Sequence, residues 1–263
     1  MRVLCVGDVC SPAGCAAALD IIPNIKREYD IDFTIVNGEN SAEGNGITPY
    51  SADLIFSAGA DVITGGNHSF RRKEIYETLD SNPFILRPDN IKSEYGSGYV
   101  LYDFGKYRAA VINLSGQVYL ERVAADNAFR AAQTLVDRAK YEGAVFIFVD
   151  FHAEATSEKR AMGFFLDGKV SVVFGTHTHI QTADEQILPG GTGYITDLGM
   201  TGVIDSVLGV QKEIIINRLI SGGSEKFLQA SGKCMLNGCI FDVDDNTGLT
   251  RTVERIYREQ QEG

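Results

Sequence analysis

Short apolar runs, many of them ending in Gly, Asn or Asp, alternate with helical stretches along most of this 263-residue chain. RVLCVG (2–7), DFTIVNG (32–38), DVITGG (61–66), YVLYDF (99–104), RAAVINL (108–114), AVFIFVDF (144–151) and VSVVFG (170–175) read as strands. Several are continuously apolar, as strands covered on both faces are. Helical patterns occupy 14–29, 50–59, 71–80, 124–141 and 156–166 between them. The segment 124–141 is rich in Ala and keeps its apolar positions at helical spacing. From about residue 183 the chain turns β-rich, with YITDLG (194–199), EIIINRL (213–219), CMLNGCIFDV (234–243) and LTRTVERIY (249–257). SGGSEK (221–226) lies between two of these runs and reads as a hairpin turn. There is no repeat and no linker. The expectation is one α/β domain over 1–263, made of layered mixed sheets with helices outside.

Composition narrows what such a domain can meet. Acids outnumber bases 35 to 24, for a net charge of −11. A body this acidic repels polyphosphate backbones, which argues against a stable complex with long nucleic acid. A small anion remains admissible if something local reverses the field. No apolar run reaches the ~18 residues of a membrane span, and MRVLCVGDVC reads as a first strand rather than a signal peptide. The cysteines, Cys5, Cys10, Cys15, Cys234 and Cys239, are odd in number and fit no CxxC spacing. They suggest reduced thiols in a cytoplasm.

The four histidines concentrate the chemistry. His68, His152, His177 and His179 each follow a predicted strand, as do Asp8 and Glu39. The carboxyl ends of strands are where α/β sheets build their sites. One such histidine is ordinarily a hydrogen-bonded structural residue, Asp8 alone could cap a helix, and Asn40 and Asn67 alone could be turn residues. Together they are harder to explain that way, because no histidine is used elsewhere in the chain.

The segments also stand in a known order: GD (7–8), GEN (38–40), GGNH (65–68), FH (151–152) and GTHTH (175–179). The chain resembles the calcineurin-like metallophosphoesterase superfamily, and within it the bacterial YmdB-type branch. The longest matching stretches are FVDFHAEATSEKRAMG (148–163), GTHTHIQTAD (175–184) and YITDLGMTG (194–202). The resemblance implies an αββα sandwich and a dinuclear metal site. In it Asp8 and His179 bind one ion, with Asn40 as a further ligand. Asn67, His152 and His177 bind the other, and Glu39 bridges the two, about 3.5–4 Å apart. Imidazole, carboxylate and amide ligands without thiolate suit iron, manganese or zinc, and among these the resemblance implies iron first. Two such ions against two carboxylates leave the site net positive, able to hold a phosphate ester inside an acidic protein. A bridging hydroxide would attack phosphorus, and His68 would give a proton to the leaving oxygen.

The chain departs from the wider superfamily at Cys10, where a His is common. Cys10 is either a soft ligand, an oxidation-sensitive thiol or a small buried hydrophobe. Asp150 and Asp197 are candidates to orient a ligand imidazole. The loop 41–48 is either a mobile lid or a plain connection. Arg87 either contacts a substrate phosphate or holds a loop.

The expected activity is a phosphodiesterase acting on cyclic nucleotides, 2′,3′ or 3′,5′. Alternatives are a phosphomonoesterase or nucleotidase, a metal-containing nucleotide-sensing regulator with slow turnover, and cleavage of short RNA. The branch also implies self-association into a homo-oligomer, with a tetramer as one form, and the apolar strands expected in the β-rich part 213–257 are a reasonable interface.

Overall fold

The computed structural model describes residues 1–120 and 126–260. The chain begins with β1 (Arg2–Val6), β2 (Asp8–Val9), α1 (Ser11–Glu28), β3 (Phe33–Asn37), α2 (Pro49–Ser57), β4 (Val62–Thr64) and α3 (Tyr76–Ser81). It continues through β5 (Tyr99–Asp103), β6 (Arg108–Ser115), α4 (Ala128–Tyr141), β7 (Phe146–His152), α5 (Thr156–Leu166) and β8 (Val172–Thr176). It ends with β9 (Gln186–Ile187), β10 (Gly193–Ile195), β11 (Met200–Val203), α6 (Lys212–Ser221), β12 (Cys234–Val243) and β13 (Thr250–Glu259).

The strands form two mixed sheets. One has the order β2-β11-β12-β1-β3-β4, with β13 added on β12; the other runs β5-β6-β7-β8-β10-β9. In the first, β1, β3 and β4 are mutually parallel. In the second, β6, β7, β8 and β10 are. Parallel neighbours put the carboxyl ends of β1, β3, β4, β7 and β8 at one end of the sandwich.

The period-2 alternation of side chains sorts each strand into two layers. On β1, Val3 and Cys5 face the second sheet, and Leu4 and Val6 face the helices. On β7, Phe146 and Phe148 fill the space between the sheets, and Ile147, Val149 and Phe151 face α4 and α5. Phe33, Phe174 and Phe241 join that central layer. The sequence runs are continuously apolar because both faces are buried. The result is helix, sheet, sheet, helix, as expected of an αββα sandwich.

Some local expectations need correction. EIIINRL (213–219) is not a strand but the body of α6. Gln211, Lys212 and Glu213 open the helix and Gly222 closes it in a left-handed conformation, φ 69°. Such a glycine stop is a helix signal that the Ile run obscures. SGGSEK therefore follows a helix and is no hairpin turn. The helix expected over 71–80 begins later, after a 3₁₀ turn at Lys73–Ile75. The helix expected over 124–141 is α4 from Ala128, with residues 124 and 125 outside the described ones. Asp8 caps nothing: Cys10 is the N-cap of α1, and Asp8 lies in β2.

Candidate metal centre

Five strand ends deliver the eight residues singled out in the sequence. Asp8 follows β1. Glu39 and Asn40 follow β3. Asn67 and His68 follow β4. His152 ends β7, and His177 and His179 follow β8. All eight meet in one network. His177 Nδ1 lies 3.0 Å from His152 Nε2, which is 2.8 Å from Asn67 Oδ1 and 3.2 Å from Glu39 Oε1. Asn40 Nδ2 is 3.1 Å from Glu39 Oε1 and 3.3 Å from His179 Nε2. His179 Nε2 is 3.7 Å from Asp8 Oδ1, and the His177 amide donates to Asp8 Oδ2 at 3.1 Å. His68 approaches from the rim: its amide donates to Glu39 Oε2 at 2.8 Å and its Nδ1 to Glu39 Oε1 at 3.2 Å.

Three observations bear on whether cations fit. Asp8 Oδ1 and Asn40 Oδ1 are buried with no hydrogen-bond partner. Leaving such atoms unsatisfied costs about 1–3 kcal/mol each, more when charged. Donor atoms of Glu39, His152 and His177 lie within 4.8 Å of one another. At Gly66 a Cβ would stand 2.2 Å from Glu39 Oε2 and 2.4 Å from His152 Nε2, so only glycine lets the chain pass this close. Buried oxygens without partners beside imidazole nitrogens suit a cation.

Electrostatics follow from burial and pairing. Burial pushes the Asp8 carboxyl up, against the pull of His179 and His152. Burial also works on Glu39, but His152 and His68 outweigh it and hold that carboxyl well below its usual range. Burial opposes charge on His152, yet Glu39, Asp8 and Asp150 push it up to about 9. His177, buried and beside a charged His152, is held down at about 3.

Outside the eight, the two aspartates noted in the sequence have defined tasks. Thr176 Oγ1 donates to Asp150 Oδ1 at 2.7 Å, so it accepts from His152 Nδ1 at 2.9 Å. That chain turns His152 Nε2 toward the centre. Asp197 does not touch an imidazole; it binds Thr178 between the two histidines. The His-x-His segment is a tight turn, with φ 103° at His177 and 65° at His179. Sequence reasoning missed Glu154, whose Oε2 is 2.9 Å from His177 Nε2. Its position two residues past His152 was the available signal.

Other candidates resolve more simply. Cys10 Sγ lies 3.7 Å from His179 Nδ1 but donates to the Asp8 carbonyl at 3.4 Å, and burial raises its thiol well above the usual range. Arg87 is buried and donates to the carbonyls of Pro88, Asp89, Ile91, Tyr95 and Gly96; it holds a loop. The loop 41–48 is pinned by the Ala42 amide on the Gly46 carbonyl and by Arg72 on the carbonyls of Glu43 and Asn45. It borders a cavity of about 680 Å³ lined by Ser41, Glu43, Tyr50, Arg72 and Phe227, none of them among the eight residues of the centre.

Comparison with known proteins agrees over the full length. The profile of the family described as "YmdB-like protein" matches residues 4–256. A 2′,3′-cyclic-nucleotide 2′-phosphodiesterase of Bacillus subtilis (strain 168) is 43% identical over 257 residues, 97% of this chain and 96% of that one. The crystal structure of a phosphatase from Mycoplasma pneumoniae superposes with a TM-score of 0.93 at 32% identity, covering 99% of this chain and 94% of the other. That of a hypothetical protein from Thermus thermophilus gives 0.91 at 35% identity, covering 99% and 100%. The family match over residues 4–256 and the 43% identity across nearly the whole chain show that the chain belongs to the YmdB-like family.

Proposed function

We propose that this chain is a dinuclear metal-dependent phosphodiesterase that opens 2′,3′-cyclic nucleotides, in one domain spanning residues 1–263. One observation carries the reading: the unpartnered oxygens of Asp8 and Asn40 lie buried among the imidazoles of one site. The substrate class rests on the name of the Bacillus subtilis relative. Asp8, Asn40 and His179 would hold one cation and Asn67, His152 and His177 the other, with Glu39 between them. The donor set accepts iron, manganese or zinc. Bound there, two divalent cations supply charge neutralisation at the phosphate and an acidified water.

The protein's own groups do the rest. Glu39, ionised under the pull of His152 and His68, offers both oxygens to the centre. Asp150 and Thr176 keep His152 Nε2 facing inward. Opening a cyclic diester leaves an alkoxide on the sugar, which needs a proton. His68 stands at the rim, partly exposed, and would supply it. The reading includes a cytoplasmic location, supported by five free buried thiols. No described helix is long and apolar enough to cross a membrane.

The test pairs elemental analysis with hydrolysis of bis-p-nitrophenyl phosphate, p-nitrophenyl phosphate and 2′,3′- and 3′,5′-cyclic nucleotides. We expect about two metal ions per chain, as two-metal sites hold, with 2′,3′-cyclic diesters preferred. His68→Ala should keep its metal and lose turnover. A metal-loaded protein that cleaves no ester would favour the sensor alternative. A protein that binds no metal would overturn the reading.

A further inference from the structure

We infer that the buried ion pair of Lys159 with Asp197 is a positioning device for the His177–His179 turn, acting through Thr178. The inference rests on the proposed metal-binding role of that turn. His177 and His179 both adopt positive φ, 103° and 65°. Residues with a Cβ hold such a backbone only where surrounding contacts over-determine it.

Those contacts converge on one oxygen. The Thr178 amide donates to Asp197 Oδ2 at 3.1 Å and its hydroxyl to the same atom at 2.7 Å. Lys159 Nζ donates there too, at 2.6 Å. Asp197 Oδ1 accepts the Gly199 amide at 2.8 Å. Thr182 fixes the aspartate backbone on both sides, its hydroxyl accepting from the Asp197 amide at 2.9 Å and its amide donating to the Asp197 carbonyl at 3.1 Å. The carboxylate is saturated by protein donors, so its task is to grip the turn rather than a cation.

The lysine is the informative half. Lys159 is 1% exposed and Asp197 is fully buried. Lys159 shares the inward stripe of α5 with Met162, Gly163 and Leu166, at i, i+3, i+4 and i+7. An apolar side chain would serve packing there. A buried ion pair is a weak source of stability, because desolvation offsets most of the attraction. What the pair provides is a carboxylate fixed in place, touching neither histidine but holding the residue between them. The lysine chain also runs beneath the end of β8: a Cβ at Gly175 would stand 2.9 Å from Lys159 Cδ. Lys159 and Asp197 therefore set where the turn begins and how it is bent.

The experiment measures Mn²⁺ bound to the full chain by equilibrium dialysis, for wild type, Thr178→Val, Lys159→Met and Lys159→Arg. Circular dichroism and the thermal midpoint without metal are recorded alongside. Thr178→Val removes only the hydroxyl contact and keeps the amide, so it tests the clamp even if Lys159→Met fails to fold. We expect Mn²⁺ affinity to fall about tenfold in Thr178→Val and up to about a hundredfold in Lys159→Met. Lys159→Arg should recover most of the loss. Metal-free Thr178→Val should melt as wild type does. Wild-type affinity in both Thr178→Val and Lys159→Met overturns the inference, and so does a loss that merely tracks a lowered metal-free midpoint. If wild type itself binds no Mn²⁺ or other divalent cation, the metal reading fails first and separately.

Discussion

Asp8 Oδ1 lies 3.7 Å from His179 Nε2, fully buried and without a hydrogen bond. The two residues come from different sheets, and the space between them holds a carboxylate oxygen with nothing to satisfy it. Burial already pushes this carboxyl up. Asp8→Asn should therefore move stability in opposite directions in two states. Without metal, removing the buried charge should raise the midpoint, by about 2–4 °C for each kcal/mol gained. With Mn²⁺ or iron present, the variant should melt below wild type, because a proposed ligand is gone. Calorimetry with and without metal checks both signs. A variant that melts below wild type without metal would show that the pull of His179 and His152 on Asp8 outweighs the cost of its burial.

Gly66 separates backbone fit from ligand chemistry. A methyl group there would sit 2.2 Å from Glu39 Oε2 and 2.4 Å from His152 Nε2. Gly66→Ala removes no donor, yet it must displace one of the two. We expect loss of bound metal and a fall in diester turnover of roughly a hundredfold, the range seen when ligand surroundings are disturbed. The fold should survive, since the strain falls on the site and not on the core. Retained metal and turnover would mean that the β4 end can shift.

Much of this was legible in the sequence for a physical reason. Strands buried on both faces announce themselves as unbroken apolar runs, and their ends as Gly, Asn and Asp. The eight candidate residues lie at those ends, so finding the strands located the cluster they form. What the sequence hid depends on contact rather than pattern. Glu154 is 47% exposed and looks like any loop acid until His177 Nε2 is placed beside it. Lys159 occupies an apolar-stripe position, a signal that is visible but reads as an ordinary helix lysine. In α6 the pattern itself misled: none of its residues is buried, so no core imposes a period on the Ile run. Its ends, Gln211 and Gly222, were the better guide.

The two buried groups around His152 should leave separate marks on stability against pH. Asp150 is pushed up to about 6, by burial before all else. Its folded value lies above its unfolded one, so its contribution is complete below about pH 4 and is lost as pH rises through about 6. His152, at about 9, is also raised above its unfolded value. Its contribution holds below about pH 6.5 and is lost as pH rises through about 9. In the metal-free protein, Asp150→Asn should flatten the decline between about pH 4 and 6 and, by removing one of the charges that raise His152, draw the upper one to lower pH. Thermal midpoints across that range decide it; an unchanged lower limb would place the charge elsewhere. Metal should remove the upper limb, because an ion replaces the proton on His152.

Self-association is the remaining expectation, and α6 is where it can be tested. Leu219 is 82% exposed, Ile220 81% and Ile216 48%, with Phe227 and Leu228 about half exposed beyond the helix. A helix that buries none of its residues gains nothing from its own chain for displaying Ile and Leu. Burying one such side chain is worth about 1.5–3 kcal/mol, so a second copy covering this face would be well compensated. Leu219→Lys with Ile220→Lys should convert an oligomer to monomer in light scattering behind gel filtration. Because neither side chain is packed in the monomer, the thermal midpoint of the dissociated variant should fall only by the coupling to assembly, and should stop depending on protein concentration. A wild type that is already monomeric, or an oligomer that tolerates both lysines, would remove α6 as the interface.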